Sequence, residues 1–120
     1  MKKKTLVLGA SLKIHRYSNY AIESLVNKNH EVVALGSRKG KVSGVNIDTE
    51  MLAHQDIDTI TIYLNSKRQK PFYRYIVSLK PKRVIFNPGT ENPELYSILK
   101  ENKIPFEESC TLVLLATNQY

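Results

Sequence analysis

Short apolar runs alternate with segments whose apolar residues recur at helical spacing, and this rhythm constrains the chain more than any other feature. Thr5-Leu6-Val7-Leu8 is a compact apolar run closed by Gly9. A run of this kind, with no polar alternation, reads as a strand buried on both faces, as in a parallel sheet. Ser18 and Asn19 can cap a helix whose apolar face is Ala21, Ile22, Leu25 and Val26. Asn29 suits the left-handed residue that stops it. Glu31 to Leu35 is the second strand, and a Gly-, Ser- and Lys-rich loop runs from Gly36 to Gly44. Val45-Asn46-Ile47 reads as a short edge strand. From Asp58 to Leu64, Thr alternates with Ile and Tyr, which is strand chemistry.

The second half repeats the pattern. Ser66 and Gln69 have capping-box spacing, Phe72, Ile76 and Leu79 form a helical stripe, and Pro81 ends it. Arg83 to Phe86 is a strand punctuated by Asn87-Pro88-Gly89. Asn92-Pro93 opens a helix with Pro in its first position, and Leu95, Ile98 and Leu99 make its apolar face. Ile104 to Glu107 reads as a last strand and Thr111 to Ala116 as a short closing helix or a further strand. Strands joined through helices imply right-handed crossovers. The sequence therefore predicts an α/β, Rossmann-like, three-layer, doubly wound domain over residues 1–120, with a mostly parallel sheet of five or six strands. One domain is what 120 residues accommodate.

In that architecture ligands bind beyond the carboxyl ends of the strands, where the winding reverses. Gly9-Ala10-Ser11 follows the first strand, and glycine there lets the backbone approach a ligand. The next helix would aim its N–H groups at the same crevice, which suits phosphate. Ser11 adds a hydroxyl, and Arg16 adds a two-pronged cation. The full G-x-G-x-x-G fingerprint is absent. The second loop, Gly36-Ser37-Arg38-Lys39-Gly40-Lys41, has no acid where a NAD site holds its ribose hydroxyls. Its Ser, Arg and Lys suit a phosphorylated ribose, whether of NADP or of coenzyme A. Tyr63 either stacks an adenine or packs on the sheet. Pro88 and Gly89 give a fourth loop that permits close backbone approach, or a plain tight turn.

Charge agrees with an anionic partner, because the chain carries a net +7. His15, His30 and His54 lie in unrelated segments without metal-ligand spacing, so no metal site is expected. Tyr73, Arg74 and Tyr75 interleave aromatic and basic residues, but on a helix they read as amphipathic surface. The single cysteine, Cys110, cannot form an internal disulfide, which points to a reducing, cytoplasmic setting. Cys110 follows the last strand, where it can face the crevice or serve as a small buried hydrophobe. The apolar run after Met1-Lys2-Lys3-Lys4 is too short for a signal peptide, and no stretch is long enough for a membrane span.

Taken in order, these segments resemble the small stand-alone coenzyme A-binding proteins, whose domain is similar to the nucleotide domain of succinyl-CoA synthetase. The carriers are Gly9-Ala10-Ser11, then Arg16 with Ser18 and Tyr20, then Val42-Ser43-Gly44-Val45. Ile57-Asp58, Val84-Ile85-Phe86-Asn87-Pro88-Gly89 and Cys110 complete them. The resemblance implies a coenzyme A site with the diphosphate on the Gly9 loop and the ribose phosphate or adenosine at the second loop. The third and fourth loops would flank the adenine or the pantetheine arm. The leading reading is a binding module without chemistry of its own, since no catalytic pair is visible. An NADP-binding oxidoreductase-like protein and a basic nucleic-acid or protein-binding adaptor are the alternatives, nucleic acid being disfavoured. A homodimer is compatible with each.

Overall fold

In the computed structural model, which describes residues 2–120, the apolar runs become strands. They are β1 (Thr5–Ala10), β2 (Val32–Gly36), β3 (Gly40–Val42), β4 (Val45–Asp48), β5 (Thr59–Ile62), β6 (Arg83–Phe86) and β7 (Phe106–Glu108). The helices are α1 (Tyr17–Asn27), α2 (Ser66–Gln69), α3 (Tyr73–Ser78), α4 (Pro93–Glu101) and α5 (Thr111–Ala116). One sheet contains all seven strands in the order β3-β4-β2-β1-β5-β6-β7. Every pairing is parallel except β3 with β4. The strand count exceeds the expected five or six because the Gly36–Gly44 loop contains β3. That strand folds back on β4 through Ser43 and Gly44, both at positive φ.

The sheet is buried on both faces because its central strands are apolar at successive positions. Leu6, Val7 and Leu8 have no exposed surface, nor do Ile60 and Ile62. Leu6, Leu8, Ile60, Ile62, Val84 and Phe86 face α3 and α4, packing on Ile76, Leu95 and Leu99. Val7, Ala34 and Ile47 face the other way, onto Ile22 and Leu25 of α1 and Leu115 of α5. Burying one such Leu or Ile side chain is worth about 1.5–3 kcal/mol. The result is a three-layer, doubly wound, Rossmann-like α/β fold.

Several local signals act as the sequence predicts, and others do not. Asn29 has φ 65° just beyond α1. Asn92 caps α4 by accepting the Leu95 N–H, with Pro93 in the first turn. Ser18 does not cap α1: the helix starts one residue earlier, and Ser18 is buried within it. The cap of α2 is Asn65, whose side chain accepts the Arg68 N–H, rather than Ser66. Gln69, its expected capping partner, is instead fully buried. Tyr75 belongs to the core, not to a surface stripe, and its hydroxyl donates to the Leu52 carbonyl. No described helix is long and apolar enough to cross a membrane.

Candidate functional site

The winding reverses between β1 and β5. From β1 the chain moves outward through α1 to β2, then returns to the other side of β1 as β5. Between two such neighbours the connecting segments diverge to opposite faces and leave a crevice at the carboxyl ends. A cleft of about 810 Å³ opens there. Its wall is drawn from the loops after β2, β1, β5 and β6, in the spatial order of those strands.

Gly9 forms the floor. It lies at a register shift in the β1–β2 pairing and has φ +93°. A Cβ there would sit 2.9 Å from Leu64 Cγ and 3.0 Å from the Tyr63 carbonyl carbon. The first and third loops therefore touch across the switch point because residue 9 has no side chain.

Ser11 and the start of α1 rise from this floor. The Ser11 hydroxyl accepts the Lys13 N–H at 3.1 Å, which leaves its own proton free to donate. Asn19 reaches back from α1 and donates to the Ser11 carbonyl at 3.1 Å. The N-cap of α1 is Arg16, which supplies no side-chain acceptor. The first two residues of this 11-residue helix, Tyr17 and Ser18, thus line the cleft, and no side chain caps the helix start.

The third and fourth loops are closed by comparison. Gln69 donates from its amide to the Leu64 carbonyl at 2.8 Å and the Thr90 carbonyl at 2.7 Å. Its oxygen accepts from Asn92 at 2.8 Å. The Gly89 N–H donates to the Glu91 carboxylate at 3.0 Å, and the Thr90 N–H donates to the Asn87 carbonyl at 3.0 Å. Asn87 is buried and donates to Thr61 Oγ1 and the Ile62 carbonyl while accepting the Thr111 N–H at 2.9 Å. It joins β5, β6 and α5.

Electrostatics separate this cleft from an ordinary crevice. Lys13, Arg16, Arg38 and Arg68 line it, and no Asp or Glu does. Among the described residues none of these four side chains forms an ion pair or a hydrogen bond. Four unneutralised cations around one concavity concentrate positive potential there.

The residues expected at the site are placed as follows. Gly9, Ala10, Ser11, Arg16, Gly36, Ser37, Arg38, Tyr63, Pro88 and Gly89 all line the cleft. Lys39 is exposed at the β2–β3 connection and does not line it. Cys110 is half-buried at the N-cap of α5, which packs on the α1 face of the sheet, and it also lies off the cleft wall. Tyr63 packs on the sheet with the α1-side cluster. Its hydroxyl is buried and has no hydrogen-bond partner. Burial pushes its pKa up to about 12, an effect that the nearby Thr111 and Thr61 hydroxyls only partly offset. Those two hydroxyls are bonded to each other at 2.7 Å.

Sequence reasoning missed Lys13, Asn65, Arg68 and Phe72, which also line the cleft. Arg68 had a usable signal: it lies three residues beyond the cap Asn65, in the first turn after a central strand, so it faces the same crevice. No group of His, Cys, Asp and Glu suited to a metal ion occurs among the described residues.

A family described as a CoA binding domain matches residues 3–116. The chain belongs to the CoA binding domain family. A solved structure of an uncharacterized protein is similar over all of this chain and 99% of its own, with 48% identity and a TM-score of 0.97. A Thermus thermophilus protein shares 19% identity over 99% of this chain and 91% of its own, with a TM-score of 0.86. A hypothetical protein from Pyrococcus horikoshii OT3 shares 21% identity over 93% of this chain and 80% of its own, with a TM-score of 0.84. The latter two similarities show the fold. A comparison with curated proteins finds no match.

Proposed function

We propose that this chain is a binding module for coenzyme A or an acyl-CoA, held in the cleft over β2, β1, β5 and β6. The observation that carries the reading is the cleft's donor set: four free cations, no carboxylate, and an uncapped helix start, all facing the switch point. A diphosphate fits against the Gly9–Ser11 backbone, the Ser11 hydroxyl and the opening N–H groups of α1, with Arg16 as a two-pronged partner. Ser37 and Arg38 sit on the β2 side, where a phosphorylated ribose would lie. Leu64, Pro88 and Phe72 offer an apolar wall on the opposite side, suited to a pantetheine arm. The family and the chemistry of these residues support coenzyme A over NADP as ligand. Nothing lining the cleft pairs a nucleophile with a base, which supports binding without chemistry. The lone free thiol, Cys110, suits a reducing cytoplasm.

Thermal unfolding with a panel of CoA, dephospho-CoA, NADP and NADH tests this. A ligand that binds only the folded state raises Tm by mass action, by about 2.7 kcal/mol of stability at one hundred times Kd. CoA should stabilise most, and dephospho-CoA less because it lacks the phosphate that Arg38 would meet. Stabilisation by NADP without stabilisation by CoA refutes the reading.

A further inference from the structure

The two ends of the cleft differ in what they leave unpaired, and this difference deepens the coenzyme A reading on which it rests. On the β1–β2 side the donors are open: α1 has no side-chain cap, and Ser11 keeps a free proton. On the β5–β6 side the donors are closed, since the Gly89 N–H is bonded to Glu91 and the Thr90 N–H to Asn87. A phosphate needs open donors, so the phosphates belong on the first side. The thiol end of the same ligand then lies on the second, across β1 in the strand order.

That second end is apolar along Leu64 and Phe72, yet it contains Arg68. The acids of the fourth loop and of α4 do not neutralise it. Glu91 accepts from Gly89, while Glu94 accepts from the Tyr73 hydroxyl at 2.9 Å and lies 3.9 Å from Lys70. The Arg68 backbone is fixed by the Asn65 cap at 3.0 Å, so its side chain departs from a defined point on the wall. An apolar wall ending in a free guanidinium suits a short carbon chain that ends in a carboxylate, which arginine grips with two parallel hydrogen bonds.

We propose that Arg68 is a specificity-determining residue that selects acyl thioesters of coenzyme A whose acyl group ends in a carboxylate. Isothermal titration with succinyl-CoA and butyryl-CoA tests this, because the two acyl groups share a four-carbon length and differ in the terminal carboxylate. Succinyl-CoA should bind about tenfold tighter or better, the scale of one charge-assisted pair. In Arg68→Gln the ratio of the two affinities should fall to about one. Arg68→Lys should retain part of the preference, since it keeps the charge and loses the fork. Equal affinities in the native chain, or a preference that survives Arg68→Gln, overturn the assignment while leaving CoA binding intact. A chain that binds neither thioester nor free CoA overturns both this assignment and the reading beneath it.

Discussion

Replacing Gly9 by alanine tests whether the cleft floor is built on contact as well as on backbone conformation. Gly9 and Gly89 have nearly the same φ, +93° and +92°. Forcing an L-residue into that region costs about 1–2 kcal/mol at either position. The surroundings differ. A Cβ on Gly89 meets nothing within 4 Å, whereas one on Gly9 sits 3.0 Å from the Tyr63 carbonyl carbon and 2.9 Å from Leu64 Cγ. Leu64 is a side chain and can turn aside. Tyr63 cannot, because its N–H donates to the Leu8 carbonyl at 2.8 Å and ties that backbone to β1. Overpacking of this kind adds about 1–3 kcal/mol. Gly89→Ala should therefore lose about 1–2 kcal/mol, and Gly9→Ala about 2–5 kcal/mol. At about 4 °C per kcal/mol for a chain of this size, the two Tm values should differ by about 4–12 °C. Paired thermal melts of the two variants measure this directly. Equal losses would show that Gly9 is needed for its dihedral alone, and would refute the argument that the first and third loops touch through it.

Asn87→Ala removes the partner of two acceptors and one donor that are all buried, and should cost about 2–4 kcal/mol, read as a lower urea midpoint with an unchanged m-value. Tyr63→Phe removes a buried hydroxyl that has no partner, so it should stabilise the protein by about 1 kcal/mol; a lower Tm would show that the hydroxyl is satisfied after all. His30 accepts the Lys3 N–H through Nδ1, and burial, followed by the charges of Lys2 and Lys3, holds its pKa below the ordinary 6.5. Its contribution is complete above pH 6.5, where both states are neutral. It is lost as pH falls from there through the lower folded value, since the unfolded chain takes up the proton first. Melts between pH 7.5 and 5 should show this decline, and it should flatten in His30→Asn.

The fold was legible because its cause is local and repeated. Runs such as Leu6-Val7-Leu8 allow little except a doubly buried strand, and Asn92-Pro93 allows little except a helix start. What escaped the sequence depended on long-range contact. The strand β3 has only three residues and forms by pairing with β4, so its Gly and Lys composition resembled a loop. Ser18 had the chemistry of a cap, but the core required the helix to begin earlier and buried it. Gln69 had capping spacing, yet its amide reaches the Thr90 carbonyl, 21 residues away in the chain. Of the site, the backbone of the β1 and β2 loops was readable, since strand ends must face the crevice. Lys39 and Cys110 follow the ends of β2 and β7 in sequence, yet neither lines the cleft.

One chemical choice unites the loops around the cleft. Three of the four loops are fastened by a carboxamide: Asn19 holds Ser11, Asn65 caps α2, Gln69 bridges the third and fourth loops, and Asn87 and Asn92 anchor the fourth. Aspartate would serve nearly as well as a helix cap. At Asn65, however, it would bring a negative charge to the mouth of the crevice, where it would pair with Arg68 or repel a diphosphate. A carboxamide donates and accepts without charge, so the loops are held rigid while Lys13, Arg16, Arg38 and Arg68 stay free. The carboxylate that does reach this region, Glu91, is bonded to the Gly89 N–H. Positive potential at the cleft therefore follows from the choice of neutral fasteners as much as from the cations themselves.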